Sequence, residues 1–317
     1  MRALITGASG FAGGWLVREC LAAGDEVIGV SRSGTIGGRT GPGVALDLRD
    51  GIATRAVVRD AQPDVVYHLA ALSSVGRSWG NPTRTVGENA MTAANTLEAV
   101  RQETPQALVV WVSSCEVYGP PASLPLREDA PIAPANPYAV SKAAAEMLAR
   151  VYAEAHGLRI ACVRPFSHAG PGQLPIFILS SLARQAAEGR LAGVSELRIV
   201  TGNPEARRDF TDVRDIVRAY RLLAERDLGG DDPVFNVSSG ESVSAADQVA
   251  LLAELIAPIR VEHHVDPARV RAHEVMDLSG AHDRLTAATG WTPQIPLRQT
   301  MADTVAWWER ELGPSVK

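Results

Sequence analysis

The chain has 317 residues, 46% apolar and 21% charged, with 31 Lys and Arg against 36 Asp and Glu, a formal net charge of −5. That is ordinary globular composition with length enough for a full core. The acidic balance argues against bulk binding of nucleic acid or an anionic membrane, and no apolar run reaches the roughly 18 residues needed to span a bilayer.

The first half alternates short apolar runs with amphipathic stretches. Strands are predicted at 3–6, 27–30, 44–46, 65–69, 107–113 and 159–164, with helices at 11–23, 52–60, 83–103 and 138–156 between most of them. Strands that are apolar throughout and separated by helices imply a parallel sheet covered on both faces, with right-handed crossovers. A turn-rich connector is expected at 119–134, where Pro120, Pro121, Pro125, Pro131 and Pro134 cluster. Beyond 165 the pattern loosens into helices at 176–188, 213–225, 245–256 and 300–312 and strands at 197–200 and 234–237. The fold class read from this is α/β, a doubly wound parallel sheet (Rossmann) with a smaller interleaved C-terminal substrate lobe. Residues 1–164 make the cofactor half, joined by returns from the C-terminal half, and 165–317 make mainly the lobe.

The first strand runs into Thr6-Gly7-Ala8-Ser9-Gly10-Phe11-Ala12-Gly13 and then a helix. Glycines there permit a tight turn, let backbone approach a pyrophosphate, and leave the helix N–H groups facing it. A dinucleotide is the implied ligand. NAD sites place a carboxylate at the end of the second strand, to hold the ribose hydroxyls. This chain reads Gly29-Val30-Ser31-Arg32-Ser33 instead, a hydroxyl and a guanidinium suited to a 2′-phosphate. NADP is therefore favoured, with NAD the alternative.

Asn136-Pro137 is a good cap and first residue for a helix carrying Tyr138 and Lys142 one turn apart. An ammonium so placed is expected to stabilise a phenolate and lower the tyrosine pKa, making Tyr138 an acid or base near neutrality. Upstream, Ser113-Ser114-Cys115-Glu116-Val117-Tyr118-Gly119 closes the fifth strand, at the sheet edge where ligands bind.

With these residues in view the chain resembles the extended short-chain dehydrogenase/reductases, in their nucleotide-sugar branch. The matching positions are Gly7, Gly10 and Gly13; Asp47-Leu48; His68-Leu69-Ala70-Ala71; Asn89; the run 114–119; Tyr138 and Lys142; and Arg164-Pro165. The segments 164–173, 207–215 and 266–271, with Thr289-Gly290-Trp291, look like the GDP-sugar members. The resemblance implies NADPH-dependent reduction of the C4 keto group of a GDP-4-keto-6-deoxyhexose. The alternatives are a 4,6-dehydratase or a 4-epimerase that keeps its nicotinamide cofactor bound. By the same resemblance, the catalytic residues are Ser114, Glu116, Tyr138 and Lys142. Gly7, Gly10, Phe11, Gly13, Ser31, Arg32, Asp47, Leu48, Leu69, Ala70, Ala71 and His168, with Tyr138 and Lys142, hold the cofactor. Ser114, Ser167, Arg208, Arg269 and Arg271 meet the substrate. Three positions depart from the pattern. Cys115 stands where a dehydratase carries an acid, Ser167 where Asn is common, and Ala272 where Pro is usual.

The remaining expectations are negative or general. Seven His show no metal spacing, so no metal site is expected. Three widely spaced Cys fit a reducing compartment, and a start reading MRALITG has no signal-peptide order, so the expected location is cytoplasmic. The expected partners are a nucleotide sugar and a second copy in a homodimer, with no nucleic acid and no membrane.

Overall fold

The computed structural model describes residues 1–37, 43–226, 233–270 and 275–313. Its centre is a seven-stranded sheet, every pair parallel. In chain order the elements begin with β1 (Arg2–Thr6), α1 (Phe11–Ala22), β2 (Glu26–Ser31), β3 (Val44–Ala45) and α2 (Gly51–Ala61). Then come β4 (Val65–His68), α3 (Val75–Ser78), α4 (Pro82–Glu103), β5 (Leu108–Val112), α5 (Pro137–His156) and β6 (Ile160–Pro165). The second half adds β7 (Ser167–Ala169), α6 (Ile178–Leu191), β8 (Glu196–Thr201), β9 (Arg207–Asp212), α7 (Val213–Ala224) and β10 (Val234–Val237). It ends with β11 (Ser242–Ser244), α8 (Ala245–Leu255), β12 (Arg260–Val265), β13 (Asp277–Leu278), α9 (Asp283–Thr289) and α10 (Leu297–Leu312).

The sheet order is β10-β6-β5-β4-β1-β2-β3. The order reverses at β1: β2 and β3 lie to one side, and β4 onward to the other. That reversal opens a crevice beyond the carboxyl ends of β1 and β4, the ligand position of doubly wound sheets. β4 and β6 are buried along their whole length, as strands covered on both faces must be. On one face α1 and α7 pack with Val65, Tyr67, Val163 and Trp291. On the other, α2, α4 and α5 cover Leu4, Val66, Val109 and Trp111.

The lobe has its own core, in which Leu179, Leu182, Ile199, Leu252 and Met301 interdigitate from α6, β8, α8 and α10. A second sheet, β11-β9-β13 with β7 joined to β9, links that core to the large sheet. β9 carries the sequence RRDFTD, whose charge density shows no strand pattern, yet it is the hub of this sheet. Its carboxylates are satisfied internally: Asp209 accepts from Ser239 and Gly240, and Asp212 caps α7 and takes Arg214 and Thr300. The predicted helix at 300–312 begins earlier, at Leu297. The lobe is interleaved, because β10 returns to pair with β6 and α7 lies against α1.

Candidate active site

The glycine-rich turn is shaped by steric necessity. Gly7 has φ +73°, and a Cβ there would sit 3.0 Å from the Ala70 nitrogen, so the turn after β1 packs backbone to backbone on the turn after β4. A Cβ on Gly13 would come 2.2 Å from the Gly7 carbonyl oxygen. Gly10 caps α1 without a side-chain hydrogen bond, and no acidic residue occupies the first turn. α2, α4, α5, α7 and α8 are each capped by a side chain, whereas α6, α9 and α10, like α1, are not. The start of α1 thus presents uncapped N–H groups with partial positive charge beside the crevice, a fit for a dinucleotide pyrophosphate.

Around this turn the structure gathers most of the expected cofactor residues. Leu69, Ala70 and Ala71 follow β4, and the Ala70 nitrogen donates to Thr6 Oγ1 at 3.2 Å. Phe11 and His168 stand with parallel rings, centroids 6.0 Å apart, which joins the α1 start to β7. Burial lowers the His168 pKa, keeping that ring neutral. Ser31 closes β2 and donates to the Thr35 carbonyl at 2.9 Å. Arg32 is exposed, and its charge reaches Asp47 across the strand ends. Asp47 is held by Arg49, at 2.5 Å from Nη2 to Oδ2, and its pKa falls to about 2. Leu48 is buried in the core, and its carbonyl accepts from Asn95.

The catalytic candidates meet where β5 and α5 face each other. Ser114 caps the 3₁₀ turn Cys115–Tyr118, its Oγ accepting the Glu116 N–H at 3.2 Å. α5 starts at Pro137 because Asn136 caps it, accepting the Ala139 N–H at 2.8 Å. One turn in, Tyr138 and Lys142 are both buried. The Ser114 side chain lies near enough to the Tyr138 hydroxyl to act on its ionisation.

One expectation is corrected here. The Tyr138 pKa is raised, first by burial and then by the negative charge of Glu116, and only the neighbouring Ser114 side chain opposes the rise. Lys142 does not lower it. Its Nζ donates to the Val112 carbonyl at 2.7 Å, and burial brings its own pKa down to about 8. Desolvation outweighs charge attraction when both partners lie out of water.

Cys115 points into an apolar cluster with Tyr118, Leu126, Phe166 and Leu278, and burial pushes its thiol well above the ordinary range. The thiol therefore stays neutral, buried among apolar side chains. Arg208, half-buried on β9, is close enough for its charge to act on that thiol. Ser167 pairs with Phe210 in the β7–β9 register. Arg269 is not brought to this group. Its side chain pairs with Asp266 at 3.4 Å and donates to the Val200 carbonyl at 3.0 Å, on β8 of a separate two-stranded sheet. Arg271 and Ala272 lie outside the described residues.

Sequence reasoning missed the support beneath these groups. Glu146, one turn beyond Lys142, accepts from Arg164 at 2.5 Å and from Ser113 Oγ at 2.5 Å. Arg164 also donates to Tyr118 Oη at 2.9 Å and stacks over its ring, and Tyr118 donates to Asn236 Oδ1 at 2.7 Å. This network ties α5, β6, β10 and the catalytic turn together. The helical spacing of Tyr138, Lys142 and Glu146 was the available signal. Asn89 is a second tie, donating to Ser141 Oγ at 2.8 Å and clamping the Leu72 backbone. A cleft of about 830 Å³ opens next to the site, lined by Pro120, Pro121, Leu124, Ala135, Met276 and Asp277 among others. Among the described residues no group of three or more His, Cys, Asp or Glu could hold a metal ion. No described helix is long and apolar enough to cross a membrane.

Comparison with known proteins supplies independent findings. The family described as GDP-mannose 4,6 dehydratase matches residues 4–304. A GDP-6-deoxy-D-mannose reductase of Pseudomonas aeruginosa is 38% identical over 250 residues, covering 78% of this chain and 81% of the relative. A UDP-glucose 4-epimerase of Mycolicibacterium smegmatis is 30% identical over 98% of this chain and 99% of its own. Among solved structures, RMD from Pseudomonas aeruginosa complexed with NADPH superposes with a TM-score of 0.83 at 30% identity, covering 98% of this chain and 100% of that one.

Proposed function

The chain belongs to the GDP-mannose 4,6-dehydratase family, and on that premise we propose that it is an NADPH-dependent reductase of the C4 keto group of a GDP-4-keto-6-deoxyhexose. The observation that carries the reading is the placement at the carboxyl edge of the sheet: Ser114 opens the turn after β5, Asn136 caps the helix carrying Tyr138, and Lys142 is anchored on the Val112 carbonyl behind them. The similarity to a GDP-6-deoxy-D-mannose reductase, and to a structure that holds NADPH, supports the reaction and the cofactor.

The chemistry follows from the two hydroxyls. A bound nicotinamide supplies the hydride that C4 receives. Because burial keeps the Tyr138 phenol protonated, it stands in the donor form that reduction needs and gives its proton to the developing C4 alkoxide. Ser114 donates a second hydrogen bond to the same oxygen, worth most in a site shielded from water. Lys142 orients the nicotinamide ribose. Gly7, Gly10 and Gly13 admit the pyrophosphate, and Arg32 with Ser31 receives the 2′-phosphate. Arg208 is the guanidinium assigned to the substrate diphosphate.

A 4,6-dehydratase is the second reading, favoured by one observation: Glu116 is intact and its charge acts on Tyr138. A coupled assay separates the two. With NADPH and the GDP-linked keto sugar, one NADPH oxidised per product formed supports the reductase. Conversion of GDP-mannose to a keto sugar with no added reductant overturns it.

We further propose a cytoplasmic homodimer. The three cysteines are free, in keeping with a reducing compartment. Met91 on α4 and Val140, Met147 and Val151 on α5 are exposed apolar residues on two helices packed side by side, a surface suited to a second copy.

A further inference from the structure

Asn136 joins the start of α5 to the turn that Ser114 opens. Its Oδ1 accepts the Ala139 N–H at 2.8 Å and so caps the helix that carries Tyr138 and Lys142. Its Nδ2 donates to Glu116 Oε2 at 2.9 Å, on the turn that Ser114 opens. Glu116 in turn gives its N–H to Ser114 Oγ at 3.2 Å. One amide therefore bolts the start of α5 to the turn, and through Glu116 it sets where the Ser114 hydroxyl lies against the Tyr138 hydroxyl.

Helix capping alone does not demand this residue. Ser and Asp also cap, but Asp has no donor, and Ser must cap and donate through one oxygen on a shorter side chain. Only an amide caps with one atom and donates with the other. We infer that Asn136 is a positioning residue for the reduction, fixing the separation of the Ser114 and Tyr138 hydroxyls through Glu116. This rests on the reductase reading given above.

The test uses the full-length protein with NADPH and the GDP-linked keto sugar. Asn136→Ser keeps a capping oxygen and removes the amide donor. It is expected to lower kcat about tenfold, the scale of one hydrogen bond to a charged group, with KM and thermal midpoint unchanged. Asn136→Asp places two carboxylates together and is expected to lose more. Wild-type kcat in Asn136→Ser, a loss confined to KM or thermal midpoint, or an Asn136→Asp variant no more impaired than Asn136→Ser overturns the inference. A wild-type protein that fails to oxidise NADPH instead overturns the reductase reading itself, so the two failures are distinct.

Discussion

The two walls of the active-site crevice are built in opposite ways. The cofactor wall is a turn of glycines and alanines, where function comes from backbone brought close and from helix N–H groups left uncapped. The catalytic wall is a lattice of buried polar side chains, in which Ser113, Glu146, Arg164, Tyr118 and Asn236 form one connected set under Tyr138 and Lys142. A backbone site tolerates little added volume and has no buried side-chain charges of its own to satisfy. A side-chain lattice is the reverse, since each member removed leaves a partner unsatisfied out of water. The first wall is rigid because nothing bulkier fits, the second because every group has its partner.

The sharpest way to break the catalytic wall is at its reacting group. Tyr138→Phe should lower kcat by about 10²–10⁴-fold, the usual yield of a positioned proton donor, with NADPH binding retained in a fluorescence titration. Full activity in that variant would sink the mechanism. Glu146→Ala should destabilise the protein by about 3–5 kcal/mol in denaturant unfolding, because it strands Arg164, a buried cation. The cofactor wall should respond to charge only at its rim. Arg32→Ala should weaken NADPH affinity roughly 10- to 100-fold while leaving NADH unchanged, the worth of one charge-assisted hydrogen bond; equal losses for both cofactors would remove Arg32 from the 2′-phosphate.

The smallest effect concerns pH. Burial lowers the Lys142 pKa from 10.5 to about 8 in the folded chain. Between those values the unfolded chain binds the extra proton, so stability rises with pH there, and below about 8 the buried ammonium carries its full penalty. Lys142→Met should therefore be inactive yet more stable than wild type near pH 7, an advantage that fades as pH rises past 8 toward 10. Unfolding curves at several pH values with no cofactor present would show it, and a constant difference would refute it.

The two walls also differ in how legible they were. Glycine spacing and apolar runs report local backbone needs, so the sheet strands up to β6 and the turn at Gly7 to Gly13 could be read from the chain. The YxxxK spacing likewise placed Tyr138 and Lys142 on one helix face. What spacing could not report was the balance of burial against charge, and that is why the expected lowering of the Tyr138 pKa was reversed. The lobe was read least well. β7, β11 and β13 are two or three residues long, too short for a period to register. β9 hides its strand character because Arg207, Asp209 and Asp212 find their partners only in the folded lobe. Arg269 looked like a phosphate ligand by its neighbours in sequence, but a side chain's nearest acceptor is set by tertiary packing.

The seventh strand of the cofactor sheet, β10, is residues 234–237 and pairs with β6. On the ribosome, β6 therefore waits through the synthesis of α6, β8, β9 and α7 with one edge unpaired. An open edge strand invites pairing with other chains. A nascent or truncated polypeptide ending near residue 165 would expose that edge permanently, while the full chain closes it only when the first half of the lobe, through Val237, has emerged. Synthesis order thus makes the lobe a guardian of the sheet as well as its complement in the site, and premature termination should yield aggregates rather than a free cofactor-binding half.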